Sequence, residues 1–244
     1  MNASSSITSS GWLLRRADER FHSQLDWLDS RHSFSFAGHH HPDWMGFGPL
    51  RVINDDTIAA GAGFGMHPHR NMEIVTVMVS GELCHQDSMG HQQRLRAGEV
   101  QRMSTGRGLV HSERNGGPAA CRLLQIWIEP TEPGGEPAYE QKPFAIGHRW
   151  CPLIAPDRAE GAMAIRRPVR LWRALPGAGE RLELPVPPGQ LGWLQLVEGV
   201  VETDRGPGRL ETGDGLGFDR AAPGSPTSLT AGDQGADLLL FALA

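Results

Sequence analysis

Lysine is nearly missing from this chain. Of its 23 basic residues only Lys142 is a lysine, and the 28 acidic residues outnumber them to leave a net charge of −5. That balance removes the electrostatic reason to expect a nucleic-acid partner or an anionic membrane surface. Cysteine is scarce too. Cys84, Cys121 and Cys151 form an odd set without CxxC spacing, which argues against a disulfide framework or a zinc knuckle and for a reducing, cytoplasmic setting. No apolar run approaches bilayer length, the longest being LLLFALA near the C-terminal end, so no membrane span is expected. The opening MNASSSITSSG has neither a basic nor an apolar leader region, and residues 1–10 are expected to form a flexible tail.

What the chain has in quantity is turn chemistry. Gly (31) and Pro (18) make up about a fifth of the 244 residues, which suits many tight turns. Between the turns lie short segments rich in Val, Ile, Leu or Trp: LRVIND, MEIVTVMVSG, CRLLQIWIEP, VRLWRAL, GWLQLVEGVVET and ADLLLFAL. Regularly spaced runs of that kind read as strands, so the class is all-β, a sandwich or barrel. Helical periodicity is scarce, LDWLDS being the one short helical turn expected.

The stretch EPTEPGGEPAYEQKP breaks any regular element, and a domain boundary is placed there, giving units of 11–135 and 136–244. The two units echo each other. MVSGELCHQDSMGHQQRLRAGEV matches LVEGVVETDRGPGRLETGDGL in ending an apolar strand on Gly, passing a polar hairpin and closing on Leu-x-x-Gly-acid. Aligning Gly81 with Gly199 sets His67 and His69 against Pro185 and Pro187; aligning Gly98 with Gly213 sets His111 and Glu113 against Pro226 and Ser228. The second copy therefore lacks the titratable side chains of the first, and any metal chemistry belongs to the first half.

Those side chains have metal-ligand spacing. In an extended strand His67 and His69 point the same way while Pro68 points away, and the proline, having no N–H for a ladder, suits a strand end or edge. Asn71 and Glu73 would continue on the same face. In TGRGLVHSERN the same period of two brings His111 and Glu113 to one face. Three imidazoles and a carboxylate converge if these strands are neighbours. Such a set can hold divalent Fe, Mn, Co, Ni, Cu or Zn, with positions left open for substrate or dioxygen. Elsewhere His39, His40 and His41 read as a solvated loop, His85 and His91 as polar residues of a hairpin, His32 as second to the site or satisfied in the core, and Cys84 and Cys121 as small core residues. The position parity does not decide between Glu73 and Glu113 as the carboxylate.

The spacing as a whole resembles the two cupin motifs: Gly61, His67-x-His69 and Glu73, then a Gly98-led turn, His111 and Asn115. It departs from them in placing Gly81 one residue late, in two extra residues before Gly108, and in Gly106 where proline is usual. The same departures occur in the pirin family, which the chain resembles along nearly its full length through RHSFSFA (31–37), LRVINDD (50–56), HPHRNMEIVT (67–76), HQDSMG (85–90), STGRGLVHSE (104–113) and LLQIWIEP (123–130). The resemblance implies a bicupin of two tandem double-stranded β-helix (jelly-roll) barrels. It also implies one metal ion per chain, Fe(II) above Cu, Mn, Ni, Co or Zn, held by His67, His69, His111 and Glu113.

The activity implied is quercetin 2,3-dioxygenase chemistry, in which a flavonol is cleaved by O2 with release of CO. Glu113 or Glu73 would be the catalytic base. Phe34, Phe36, Trp44, Phe47 and Phe64 are the apolar side chains available to wall a flat aromatic substrate. The rival function that the resemblance implies is an iron-dependent, redox-sensing module that binds a protein partner. A third is a cupin isomerase or hydrolase using Zn or Mn without redox chemistry.

Overall fold

Turn residues and short apolar runs resolve into nineteen strands and three single-turn 3-10 helices over the residues described, 11–244, in the computed structural model. The expected tail, residues 1–10, lies outside the described residues. LDWLDS is not helical. Leu25 and Leu28 close a tight turn through reciprocal backbone hydrogen bonds, and the strand Leu28–His32 follows, with Leu28, Ser30 and His32 buried in strict alternation. The period of two, not 3.6, is what buries the apolar side chain here.

Three sheets result. One of four strands has the order Gly63–His69, Leu109–Arg114, Glu82–Asp87, Gln92–Arg96. One of seven runs Ala138–Pro143, Glu99–Ser104, Glu73–Ser80, Cys121–Ile128, Leu50–Ile58, Leu28–His32, Phe21–Gln24. The third, of eight strands, is drawn almost wholly from the second half. The seven-stranded sheet buries apolar side chains on both faces. Along Cys121–Ile128, Leu124, Ile126 and Ile128 pack with Leu171, Trp193 and Phe241 of the second half, while Leu123 packs with Leu83 and Leu95 of the four-stranded sheet. Fully burying each such side chain contributes about 1.5–3 kcal/mol, which explains why six of the eight residues of this strand are apolar, with Arg122 and Gln125 the exceptions.

Backbone pairing crosses the boundary expected at 135/136. Trp12–Arg15 pairs with Gly215–Asp219 of the second half, and Ala138–Pro143 pairs with Glu99–Ser104 of the first. A buried ion pair reinforces the junction of the halves, Arg173 to Asp237 at 2.6 Å, with Arg173 also donating to the Met78 carbonyl. The internal echo has a backbone counterpart. Gly81 and Gly199, and Gly98 and Gly213, all adopt positive φ, between 74° and 91°. At Gly81 a Cβ would sit 2.7 Å from that of Cys121, so the turn admits no side chain. No helix among the described residues is long and apolar enough to cross a membrane.

Candidate metal centre

The strand Gly63–His69 lies at the edge of the four-stranded sheet, where the missing N–H of Pro68 costs least. Its neighbour Leu109–Arg114 is antiparallel, with His67 directly opposite His111 and His69 opposite Leu109. A register shift between His111 and Glu113 then sets Glu113 opposite Phe64, because Gly65 and Met66 bulge outward. The bulge returns Phe64 to the inner face and leaves Met66 in solvent, 55 % exposed.

Three imidazoles meet on the inner face. The ring centroids lie 4.7 Å apart for His67 and His69, 4.4 Å for His67 and His111, and 4.9 Å for His69 and His111. One ring nitrogen from each falls within 4.8 Å of the others. The Nδ1 of His67 is 2.8 Å from the Gly65 carbonyl, which can only accept, so Nδ1 carries the proton and Nε2 keeps a free lone pair. Both ring nitrogens of buried His111 lack a partner. Burial, and then His67 and His69, hold His111 at about 2; burial and then His67 hold His69 at about 4. Both rings are therefore neutral at pH 7 with lone pairs available, as metal ligation requires.

Glu113 is buried beside them. Its Oε2 accepts a 2.8 Å hydrogen bond from Gln125 and its Oε1 has no partner. Burial first, and Asp56 second, raise its carboxyl to about 7. A second cluster of donor atoms within 4.8 Å comprises His85, His111 and Glu113, so His111 is common to both groups. Orphaned nitrogens on His111 and an orphaned oxygen on Glu113, converging in a buried space, fit a cation, and nitrogen with carboxylate oxygen suits a first-row divalent ion.

Glu73 is placed elsewhere. The chain turns through Asn71, whose φ is 53°, so the parity of His67 and His69 does not carry past residue 70. Glu73 opens a new strand in the seven-stranded sheet and shares parity with Val75 and Val77, which pack toward the second half; Ile74 and Thr76 take the inner face. Its carboxylate accepts from Ser104 at 2.7 Å, and no cluster of candidate ligands among the described residues includes it.

Of the five aromatic side chains expected near the site, Phe34 and Phe47 pack on Trp193 of the second half, Trp44 covers the Arg15 guanidinium, and Phe64 stands edge-on to Trp27. Phe64 also stands edge-on to His67 at 6.4 Å, and Phe36 reaches the inner wall edge-on to Trp127 at 5.4 Å. Trp127 itself was not singled out by its sequence context, since it reads as one more residue of an apolar strand. It stands edge-on to His69 at 4.8 Å, and its indole Nε1 is buried without a partner. His85 was missed as well. It is 2 % exposed rather than a solvated hairpin residue, with its ring 5.4 Å from that of His111. The signal available was its parity, since His85 lies directly opposite Glu113. His32 is satisfied in the core by Ser23, Ser30 and Asn54. A concavity of about 820 Å3 opens on the other face of the four-stranded sheet, where Cys84, Gln86, Ser112 and Arg114 point away from the imidazoles.

Comparison with known proteins bears on this geometry. The profile of the family described as Pirin matches residues 14–128, and that of a quercetinase C-terminal cupin domain matches residues 153–243. A quercetin 2,3-dioxygenase of Escherichia coli K12 is 43 % identical over 204 residues, covering 83 % of this chain and 87 % of its own. The crystal structure of YhhW from Escherichia coli superposes with a TM-score of 0.88 at 39 % identity, covering 96 % of this chain and 97 % of that one. The same bacterial pirin in complex with nickel(II) gives 0.86 at 39 % identity, with coverages of 95 % and 98 %. The expectation of an all-β pair of cupin barrels is borne out.

Proposed function

The chain belongs to the pirin family, and from that premise we propose that it is a metal-dependent dioxygenase that cleaves a flavonol such as quercetin with O2 and releases CO. One observation carries the reading: three imidazoles converge on the inner face, where both His111 nitrogens and Glu113 Oε1 are buried without a partner. His67, His69, His111 and Glu113 would hold the ion, which we assign as Fe(II). When bound, the ion supplies a Lewis-acid position that acidifies the flavonol 3-hydroxyl and a redox partner for dioxygen.

The remaining work falls to the chain's own side chains. Phe36 and Trp127 form an edge-on pair beside His69, a wall against which a flat ring system can lie. The Trp127 Nε1–H, buried without an acceptor, would donate to the flavonol 4-carbonyl and fix the substrate's orientation. We take Glu113 and not Glu73 as the acceptor of the 3-hydroxyl proton, because Glu113 Oε1 is free on the inner face and can ligate the ion through one lone pair while taking the proton on another, whereas Glu73 points to the other side of its sheet and is bound by Ser104. Gln125 holds the other Glu113 oxygen, so the free one keeps its aim.

The deciding experiment is anaerobic reconstitution of metal-free protein with Fe(II), and in parallel with Ni(II), Cu(II), Mn(II), Co(II) and Zn(II). Oxygen and quercetin are then added while flavonol absorbance and CO are followed. Loss of the flavonol band with equimolar CO is the expected result, greatest with Fe(II). An absence of turnover with every metal would remove the enzymatic reading.

A further inference from the structure

His85 is held by a device that the ligand set above leaves unused. Its Nε2 lies 3.1 Å from Asp87 Oδ2, and both side chains are wholly buried. The Asp87 carboxylate is itself fixed. It accepts from the backbone N–H of Met89 at 2.9 Å and of His91 at 3.1 Å, and it lies 2.9 Å from His91 Nδ1. Tyr139, reaching over from the strand Ala138–Pro143, stacks on both imidazoles, at 4.8 Å on His85 and 4.6 Å on His91. An ionised carboxylate only accepts, so His85 must carry its proton on Nε2. Its Nδ1 then presents a bare lone pair. That atom is buried and has no partner, and the His85 ring, 5.4 Å from that of His111, offers a nitrogen within 4.8 Å of donor atoms on His111 and Glu113.

A buried acceptor left unpaired costs about 1–3 kcal/mol, and here three unpaired groups face one another. A carboxylate behind an imidazole is also the arrangement that fixes a ligating histidine's tautomer and orientation. We propose that His85 is a fifth ligating side chain of the centre, with Asp87 as its positioning residue. The proposal rests on the metal-centre reading above. The donors form two groups that share His111, with His67 and His69 on the accessible side and His85 and Glu113 on the buried side, and an ion at their junction would draw the two groups together. Five protein donors leave an octahedral ion one position for substrate or dioxygen, in place of the two left by four donors.

The test uses full-length, metal-free protein titrated with Co(II), whose d–d bands report coordination number, with affinity measured against a chelating competitor. The variants are His85→Ala, His85→Gln, Asp87→Asn and His67→Ala, each checked for folding by circular dichroism. In Asp87→Asn the side-chain amide can donate to Nε2, which moves the ring proton onto Nδ1 and removes the lone pair without opening a cavity. Should His85→Ala fail to fold, His85→Gln and Asp87→Asn carry the test.

His85→Gln and Asp87→Asn are expected to weaken Co(II) binding about ten- to a hundredfold and to shift or intensify the d–d bands as a donor is lost. Weaker binding with an unchanged spectrum places His85 outside the coordination sphere and overturns the proposal. Wild-type affinity and spectrum in both variants, with the tight site lost in His67→Ala, also overturn it while the metal reading stands. Wild-type binding in His67→Ala removes the metal reading and the proposal together.

Discussion

Replacing Asp56 with asparagine should stabilise the metal-free protein, and more so as the pH rises. Asp56 is 3 % exposed at the centre of the first barrel, where Ser30 donates a hydrogen bond to one carboxylate oxygen. Burial, opposed by Ser30 and assisted by Asp55, raises its carboxyl from 3.8 to about 7. Between those two values the folded protein keeps a proton that the unfolded chain has released. The Asp56 contribution to stability therefore falls with rising pH, by up to about 1.4 kcal/mol per pH unit, and reaches its floor above about 7. Three units of displacement set a ceiling of about 4 kcal/mol, of which about 3 falls between pH 5 and pH 8. The amide of Asp56→Asn stays neutral throughout and can still accept from Ser30, so the variant escapes that slope. Denaturant unfolding of wild type and Asp56→Asn at pH 5, 6, 7 and 8 should show the stability difference growing by about 3 kcal/mol in favour of the variant. Parallel profiles would mean that Asp56 is ionised at no cost in the fold, and the account of the barrel's interior would be wrong.

Other substitutions separate the remaining contributions. His69→Ala should lower bound metal from about one ion per chain to near zero by elemental analysis, with the fold intact, since His69 is only partly buried. Trp127→Phe keeps the ring beside His69 but removes the unpaired Nε1–H; with metal content unchanged, kcat/KM for quercetin should fall about five- to tenfold, the worth of one hydrogen bond. Gly106→Ala should cost more than about 2 kcal/mol in denaturant unfolding, because φ is 48° and the added Cβ would meet the Gly135 carbonyl at 1.8 Å.

Much of the site could be read from spacing because strands translate a period of two directly into geometry. His67-Pro68-His69 gave two inward imidazoles, and Pro68 gave the edge position. Gly106, which departs from the cupin pattern, has its reason in the left-handed backbone and the close approach of Gly135; a proline, whose φ is fixed near −65°, could not adopt that backbone. What spacing could not give was anything that depended on where a strand stops. The face of Glu73 was lost at Asn71, where a single left-handed residue ends one strand and the next begins in a different sheet. His85 was misread for a related reason. Beside a hairpin turn it looks solvated, and only Tyr139, more than fifty residues away in sequence, closes over it. Trp127 was lost in an apolar run because the sheet is buried on both faces, which erases the alternation that would have marked an inward residue.

The contrast between the two barrels argues for what the first interior is kept for. Both are built from one repeated unit, with matching positive-φ glycines at the same turns. The second interior is filled by Leu184, Leu194, Leu196, Leu216, Phe218, Leu238 and Leu240, the packing that maximises stability. The first carries instead two carboxyl groups, Asp56 and Glu113, both raised to about 7, each of which the fold must bury at a cost. An unpaired oxygen on Glu113, unpaired nitrogens on His85 and His111, and an unpaired Nε1 on Trp127 add to that cost. A barrel whose twin shows how to pack the same frame with leucine has no structural need of these groups. Their concentration on the inner face of the His67-bearing sheet and its facing strand is what a site held ready for a cation and an oxygen-bearing ligand would look like.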